Sequence, residues 1–168
     1  IFNILGPLTN PANAPHMLMG VFHPDLVGIQ ARALQKLGLQ HALVVYGKDG
    51  LDEVSLEGPT MIGELIHGEI KEYEISPQDF GLKTCSTSHF KVASPEESMK
   101  IVLGVLNGET GPAQDIVCLN AGAALYAADL AKDIGEGLIM AQAAIQNGQA
   151  KAKLDEFIAT TQRLATSQ

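Results

Sequence analysis

Apolar and polar positions recur with different periods along the chain, and each change of period marks an element. Met17 to Phe22 is a short apolar run that predicts a buried strand. Pro24-Asp25 opens a helix, with proline in the first turn and an acidic residue favourable to the helix dipole. Leu26, Ile29, Ala33 and Leu37 fall on one face at helical spacing, and Gly38 closes the segment. Ala42 to Tyr46 reads Ala-Leu-Val-Val-Tyr, the unbroken apolar pattern of a strand covered on both faces. Strand, helix and strand in that order predict a right-handed parallel crossover.

Beyond this unit the period shortens. Met61 to Ser76 alternates apolar and polar residues through Ile66, Ile70, Tyr73 and Ile75, and His67-Gly68 supplies a turn, so a hairpin is expected. Ser76-Pro77 and Phe80-Gly81 make an irregular link. Ser94-Pro95-Glu96-Glu97 reads as a capping box before Met99, Val102, Leu103 and Leu106, with Asn107-Gly108 as the stop. From Pro112 onward the chain is alanine-rich and helical, with breaks near Gly135 and Asn147-Gly148. The first segment, Ile1 to Pro15, carries three prolines and predicts a loop without helix. The expected fold class is α/β: a mixed, largely parallel sheet flanked by helices, with a helical C-terminal third, in a single domain spanning residues 1–168.

Composition narrows the classes of function. With 168 residues and 46% hydrophobic content, the chain is long enough for one packed core and too apolar for a disordered one. The longest apolar stretch, Ala121 to Ala128, is far shorter than the roughly 20 residues that a bilayer requires. A net charge of −8 gives no electrostatic reason to bind nucleic acid or anionic lipid. Only Arg32 and Arg163 are arginines, so charge for a phosphorylated ligand must come from a bound cation, backbone amides or another segment. Two cysteines without a Cys-x-x-Cys spacing fit a reducing cytoplasm better than a disulfide scaffold. The start at Ile1, already apolar, reads as a piece of something longer.

Three segments are candidates for chemistry. Gly47-Lys48-Asp49-Gly50-Leu51-Asp52-Glu53 follows the most convincing strand, and ligand sites of open α/β sheets gather outside the carboxyl ends of strands. Adjacent carboxylates there suit Mg²⁺, which takes one or two carboxylates and fills its shell with water and phosphate oxygens. The plainer alternative is an Asp49-Gly50 hairpin turn and a solvated acidic edge. The loop Asn3 to Pro11, with Gly6-Pro7 at its centre, would present backbone to a flat ligand at little entropic cost, or serve as a rigid connector. The small residues of Cys118 to Ala124 favour close helix packing over binding. The five histidines show no ligand spacing, which argues against a zinc site. No Walker-type loop, Gly-x-Gly-x-x-Gly or Gly-x-Ser-x-Gly is present.

The run Ile1-Phe2-Asn3-Ile4-Leu5-Gly6-Pro7-Leu8-Thr9-Asn10-Pro11-Ala12, then Met19-Gly20-Val21-Phe22, then Gly50-Leu51-Asp52-Glu53-Val54-Ser55, resembles the anthranilate phosphoribosyltransferase family. Asp79-Phe80-Gly81 and Leu119-Asn120-Ala121 fit the same pattern, and the resemblance runs the length of the chain. It implies a catalytic domain like those of nucleoside phosphorylases and phosphoribosyltransferases. The implied reaction is Mg²⁺-assisted transfer of the phosphoribosyl group from phosphoribosyl pyrophosphate to the amino group of anthranilate, in tryptophan biosynthesis. Asp52 and Glu53 would bind the metal, Gly6 and Pro7 would form part of the wall along which anthranilate docks, and no residue is expected as a dedicated general base.

The resemblance also implies what lies elsewhere. The family's Gly-rich phosphate loop, its Lys-His-Gly-Asn segment, its anthranilate-contacting arginine and its helical dimerisation domain would all precede Ile1. The expectations are therefore a cytoplasmic homodimer for the complete protein and an inactive isolated chain with exposed apolar surface. A pyrimidine nucleoside phosphorylase-like enzyme and a non-catalytic nucleic-acid-binding paralogue share the fold. The Asp52-Glu53 pair argues against the first and the negative charge against the second.

Overall fold

The computed structural model describes residues 2–166. Strand β1 (His16–Gly20) leads through helix α2 (Asp25–Lys36) into β2 (His41–Gly47). The hairpin follows as β3 (Thr60–Ile66) and β4 (Glu69–Ile75). The strands lie in the order β1-β2-β3-β4, with β1 parallel to β2 and both remaining pairs antiparallel. The sheet is mixed as expected, but its parallel share is one pair of three. The hairpin turns at His67 and Gly68, both with positive φ, as a two-residue connection that matches strand twist.

Period-two alternation in β2 explains how one strand builds two cores. Ala42 and Val44 face a cluster with Met19, Val27, Ala31 and Leu34. Leu43 and Val45 face the opposite cluster, with Val54, Leu119, Ala123 and Leu138. Helix α2 covers the first face, while α4 (Pro112–Ala127) and α5 (Ile134–Gln146) cover the second. Gly122 and Gly137 let these two helices touch backbone to backbone: a Cβ on Gly137 would stand 2.2 Å from the Gly122 carbonyl oxygen. The small residues of α4 therefore serve close packing. Helix α6 (Gln149–Ala165) follows Gly148. Among the described residues no helix is long and apolar enough to cross a membrane.

Several expectations need correction. Helix α2 only half-buries Leu26 and Ala33 of the expected stripe, with Leu26 packed against the edge of the first cluster. It buries Val27, Gln30, Ala31 and Leu34, and leaves Ile29 52% and Leu37 54% exposed. Both stripes have helical spacing, so periodicity alone left two solutions, and packing against the sheet chooses the rotation. Buried Gln30 is satisfied in part by donating to the Ile4 carbonyl at 3.1 Å. The N-terminal loop also contains helical turns, α1 (Phe2–Leu5) and a 3₁₀ turn over Gly6–Thr9, while Ile1 lies outside the described residues. Pro7 is compatible because it sits in a first turn, where its missing N–H has no partner to lose.

The N-cap of α3 (Pro95–Leu106) is Ser94, whose hydroxyl accepts from the Glu97 N–H. The Glu97 carboxylate reaches back one residue further than a capping box requires, to the Ala93 N–H. The break expected near Gly135 lies just before it, between α4 and α5, and Gly135 itself sits in the first turn of α5. Asp79 caps a 3₁₀ turn over Pro77–Phe80 by accepting from the Ser76 N–H at 2.7 Å, and Gly81 closes it at φ 71°.

Candidate functional site

The two parallel strands end at Gly20 and Gly47, and the segment after Gly47 folds back across both ends. The Gly47 N–H donates to the Leu51 carbonyl at 2.8 Å, and Gly50 takes a positive φ that few other residues adopt. At the far side, Lys48 N–H donates to the Pro59 carbonyl. The loop then rests on Gly20 so closely that a Cβ there would stand 1.7 Å from the Asp52 carbonyl oxygen. Gly20 is thus the seat of the acidic segment.

Asn120 holds the same loop from α4. Its side-chain carbonyl accepts from the Val54 N–H at 2.8 Å, and its amide donates to the Val54 and Ile116 carbonyls at 2.9 and 3.0 Å. Ser55 adds a second tie by donating to Asp49 at 3.0 Å, and its own N–H donates to the Thr60 hydroxyl. Val54, Ser55 and Leu56 are buried by these contacts, while Asp52 and Glu53 are left exposed. Pinned backbone with free carboxylates is what a shared cation site requires.

Glu53 stands at the rim of an apolar groove of about 310 Å³ lined by Leu51, Phe90, Lys91 and Val105 among others. That partial burial raises its pKa, and the neighbouring charge of Asp52 raises it further. An uncompensated acidic pair behaves in this way, and a cation between the two would relieve both causes. The nearest lysine in sequence, Lys48, is engaged by Glu74 and does not neutralise the pair. Two carboxylates leave most of the shell of a hard divalent ion open to water and phosphate oxygens.

Gly6 and Pro7, both exposed, line an open cleft of about 390 Å³ with Asn10, Met17, Leu18, Met19 and Gly20. Gly20 therefore joins the two segments singled out in the sequence, with the Gly6-Pro7 wall on one side and the Asp52 backbone on the other. None of the seven residues lining the cleft is titratable. Sequence reasoning singled out the carboxylates and the Gly6-Pro7 loop. It gave no role to Gly20 or Asn120, whose functions arise from contacts 32 and 66 residues away.

Residues 1–151 match the model of the glycosyl transferase family, a/b domain, and the chain belongs to that family. Its similarity is to anthranilate phosphoribosyltransferases. That of Polynucleobacter necessarius is 67% identical over 162 residues, covering 96% of this chain and 48% of the relative. The crystal structure from Thermus thermophilus aligns with a TM-score of 0.85 at 38% identity, covering 94% of this chain and 46% of the other. The Saccharomyces cerevisiae enzyme in complex with PRPP and Mg aligns with a TM-score of 0.86 at 28% identity, covering 96% and 47%. The chain spans about half the length of the curated relatives it matches.

Proposed function

We propose that the protein carrying this chain transfers the phosphoribosyl group of phosphoribosyl pyrophosphate to the amino group of anthranilate, with Mg²⁺ as cofactor. One observation carries the reading: two adjacent, exposed carboxylates sit on a loop pinned across the ends of two parallel strands, in a chain this similar to enzymes of that name. The donor set fits the ion, because both groups offer hard oxygens, and burial together with the charge of Asp52 raises the Glu53 pKa. Asp52 and Glu53 would hold it. When bound, Mg²⁺ supplies positive charge against the leaving pyrophosphate.

The remaining contributions are positional. Gly6 and Pro7 offer a stiff wall without a bulky side chain, against which a flat aromatic acid docks at little entropic cost. Asn120 and Gly20 keep the acidic loop from rearranging when ligands arrive. Orientation of the amine toward the ribose carbon is then the contribution of this cleft, whose lining carries no titratable group. The same reading makes the complete protein a cytoplasmic homodimer acting on small molecules, and a net charge of −8 supports it against nucleic acid as ligand.

The test is anthranilate fluorescence in the full-length protein that contains this sequence. A decay that needs both phosphoribosyl pyrophosphate and Mg²⁺, and that Asp52→Asn slows, is the expected result. A flat trace from folded protein overturns the reading. Phosphorolysis of a pyrimidine nucleoside by the same sample would redirect it to the phosphorylase branch of the fold.

A further inference from the structure

The opposite end of the parallel pair holds a second constellation. His16 and His41 open β1 and β2, 25 residues apart in sequence, yet the parallel register sets them side by side. Asp129, just after α4, closes the group, and one ligand atom from each of the three residues lies within 4.8 Å of the others. The register thus brings together two histidines whose linear spacing shows no ligand pattern. Linear spacing misses ligands that a parallel sheet aligns.

The surroundings of His41 carry the argument. Its ring is 1% exposed, with Nδ1 2.6 Å from Asp129 Oδ1 and Nε2 3.4 Å from Oε1 of the buried Glu64. Glu64 is itself fixed by the Tyr126 hydroxyl, which donates to it at 2.5 Å. A neutral imidazole has one proton for two carboxylates. If the proton serves Asp129, the bare Nε2 faces a buried carboxylate, and Nε2 indeed has no hydrogen-bond partner. If the proton serves Glu64, the Nδ1 lone pair faces Asp129. A second proton on the ring removes the conflict, and so does a metal cation at Nδ1. The metal would take the Nδ1 lone pair and an Asp129 oxygen and leave an Nε2–H beside Glu64 at 3.4 Å, where a small shift would complete the carboxylate–histidine–metal arrangement that orients such ligands.

We infer that His16, His41 and Asp129 form a binding site for a divalent transition ion of the zinc class, separate from the Asp52-Glu53 pair. Zinc–ligand distances put tetrahedral ligand atoms about 3.3 Å apart, so the widest separation here must close by about 1.5 Å. The means are present: the Asp129 side chain is 59% exposed on a connecting segment, and His16 Nδ1 lies 3.8 Å from its Oδ2. His16 Nδ1 donates to the Ala127 carbonyl at 2.9 Å, a bond that ligation through Nδ1 would exchange for the ion. Two nitrogens and a carboxylate select zinc-class ions over Mg²⁺, which prefers oxygen.

The experiment strips the protein with a chelator and titrates Zn²⁺ against a chromophoric competitor, in the presence of excess Mg²⁺. One tight equivalent per chain is expected, weakened at least tenfold in His16→Ala and in Asp129→Asn but unchanged in His67→Ala. Side-chain ¹⁵N spectra of the intact protein give a second readout, in which Zn²⁺ shifts His16 and His41 together. Absence of a tight equivalent overturns the inference, as does an equivalent that survives both variants. A His41 ring that stays doubly protonated with Zn²⁺ present overturns it too, because a proton then serves as the cation. None of these outcomes depends on the transferase reading.

Discussion

The two ends of the parallel pair β1–β2 solve opposite problems with similar residues. At the carboxyl end, Asp52 and Glu53 carry charge into solvent while a glycine and an asparagine hold their backbone. At the amino end, about 13 Å away along β1, Glu64 and His41 are buried and engage each other and Tyr126. One end keeps its carboxylates available. The other is tied into a network whose cost of burial is met only if each polar atom finds a partner. Changes at the first should therefore alter phosphoribosyl transfer and spare folding, and changes in the buried network at the second should cost stability and spare transfer.

The largest effect should come from separating those two outcomes directly. Asp52→Asn combined with Glu53→Gln is expected to slow phosphoribosyl transfer by about 100-fold or more, the scale of losing charge stabilisation at a reacting centre, while the melting temperature stays near that of the parent. Tyr126→Phe is expected to cost about 2 kcal/mol, because it leaves buried Glu64 short of a donor. Transfer should stay within about twofold, since in a working site tenfold already represents about 1.4 kcal/mol of barrier. Steady-state kinetics beside thermal melts decide it. A pair variant that unfolds, or a Tyr126 variant that melts normally but transfers slowly, breaks the comparison.

Gly20→Ala sharpens it further, because Gly20 is part of the fold and of the site. Its added methyl would meet the Asp52 carbonyl, backbone that cannot swing aside like a side chain. The expected cost is about 1–3 kcal/mol from overpacking, together with weaker Mg²⁺ dependence as the acidic loop lifts. Denaturant melts and a Mg²⁺ activation curve on one preparation test both halves. A stable variant with unchanged activation would mean that the loop does not need its seat.

What was legible in the sequence was local. The unbroken apolar run of β2, the His67-Gly68 turn and the Ser94 cap each depend on neighbours within a few residues, and the structure contains all three. The buried face of α2 was not legible, since Leu26-Ile29-Ala33-Leu37 and Val27-Ala31-Leu34 are both helical stripes and only the sheet beneath selects one. Asp52 and Glu53 were visible because adjacent carboxylates after a strand stand out. Asn120 looked like one polar residue in a small-residue helix until its side chain was found clamping Val54. His16 and His41 gave no signal at all, because their proximity is a property of strand register.

The smallest expected effect has opposite signs at the two ends. Burial and the charge of Asp52 raise the Glu53 pKa, so its contribution to stability is greatest when protonated, below its unfolded value, and falls as pH rises through the folded value. The bond from His41 lowers the Asp129 pKa, so its contribution is present above the unfolded value and is lost as pH falls through the folded one. Without divalent ions, Glu53→Gln should therefore raise stability at neutral pH, by less than about 0.5 kcal/mol for a surface position. Asp129→Asn should lower it there and converge with the parent in acid. Adding Mg²⁺ should reverse the first difference, because only the parent keeps the full acidic pair to bind it. Melting curves across the carboxylate range and up to neutral pH, with and without Mg²⁺, measure all three. If Glu53→Gln is less stable than the parent at neutral pH without metal, then Glu53 is a structural carboxylate, and the two ends of the strand pair are more alike than their exposure suggests.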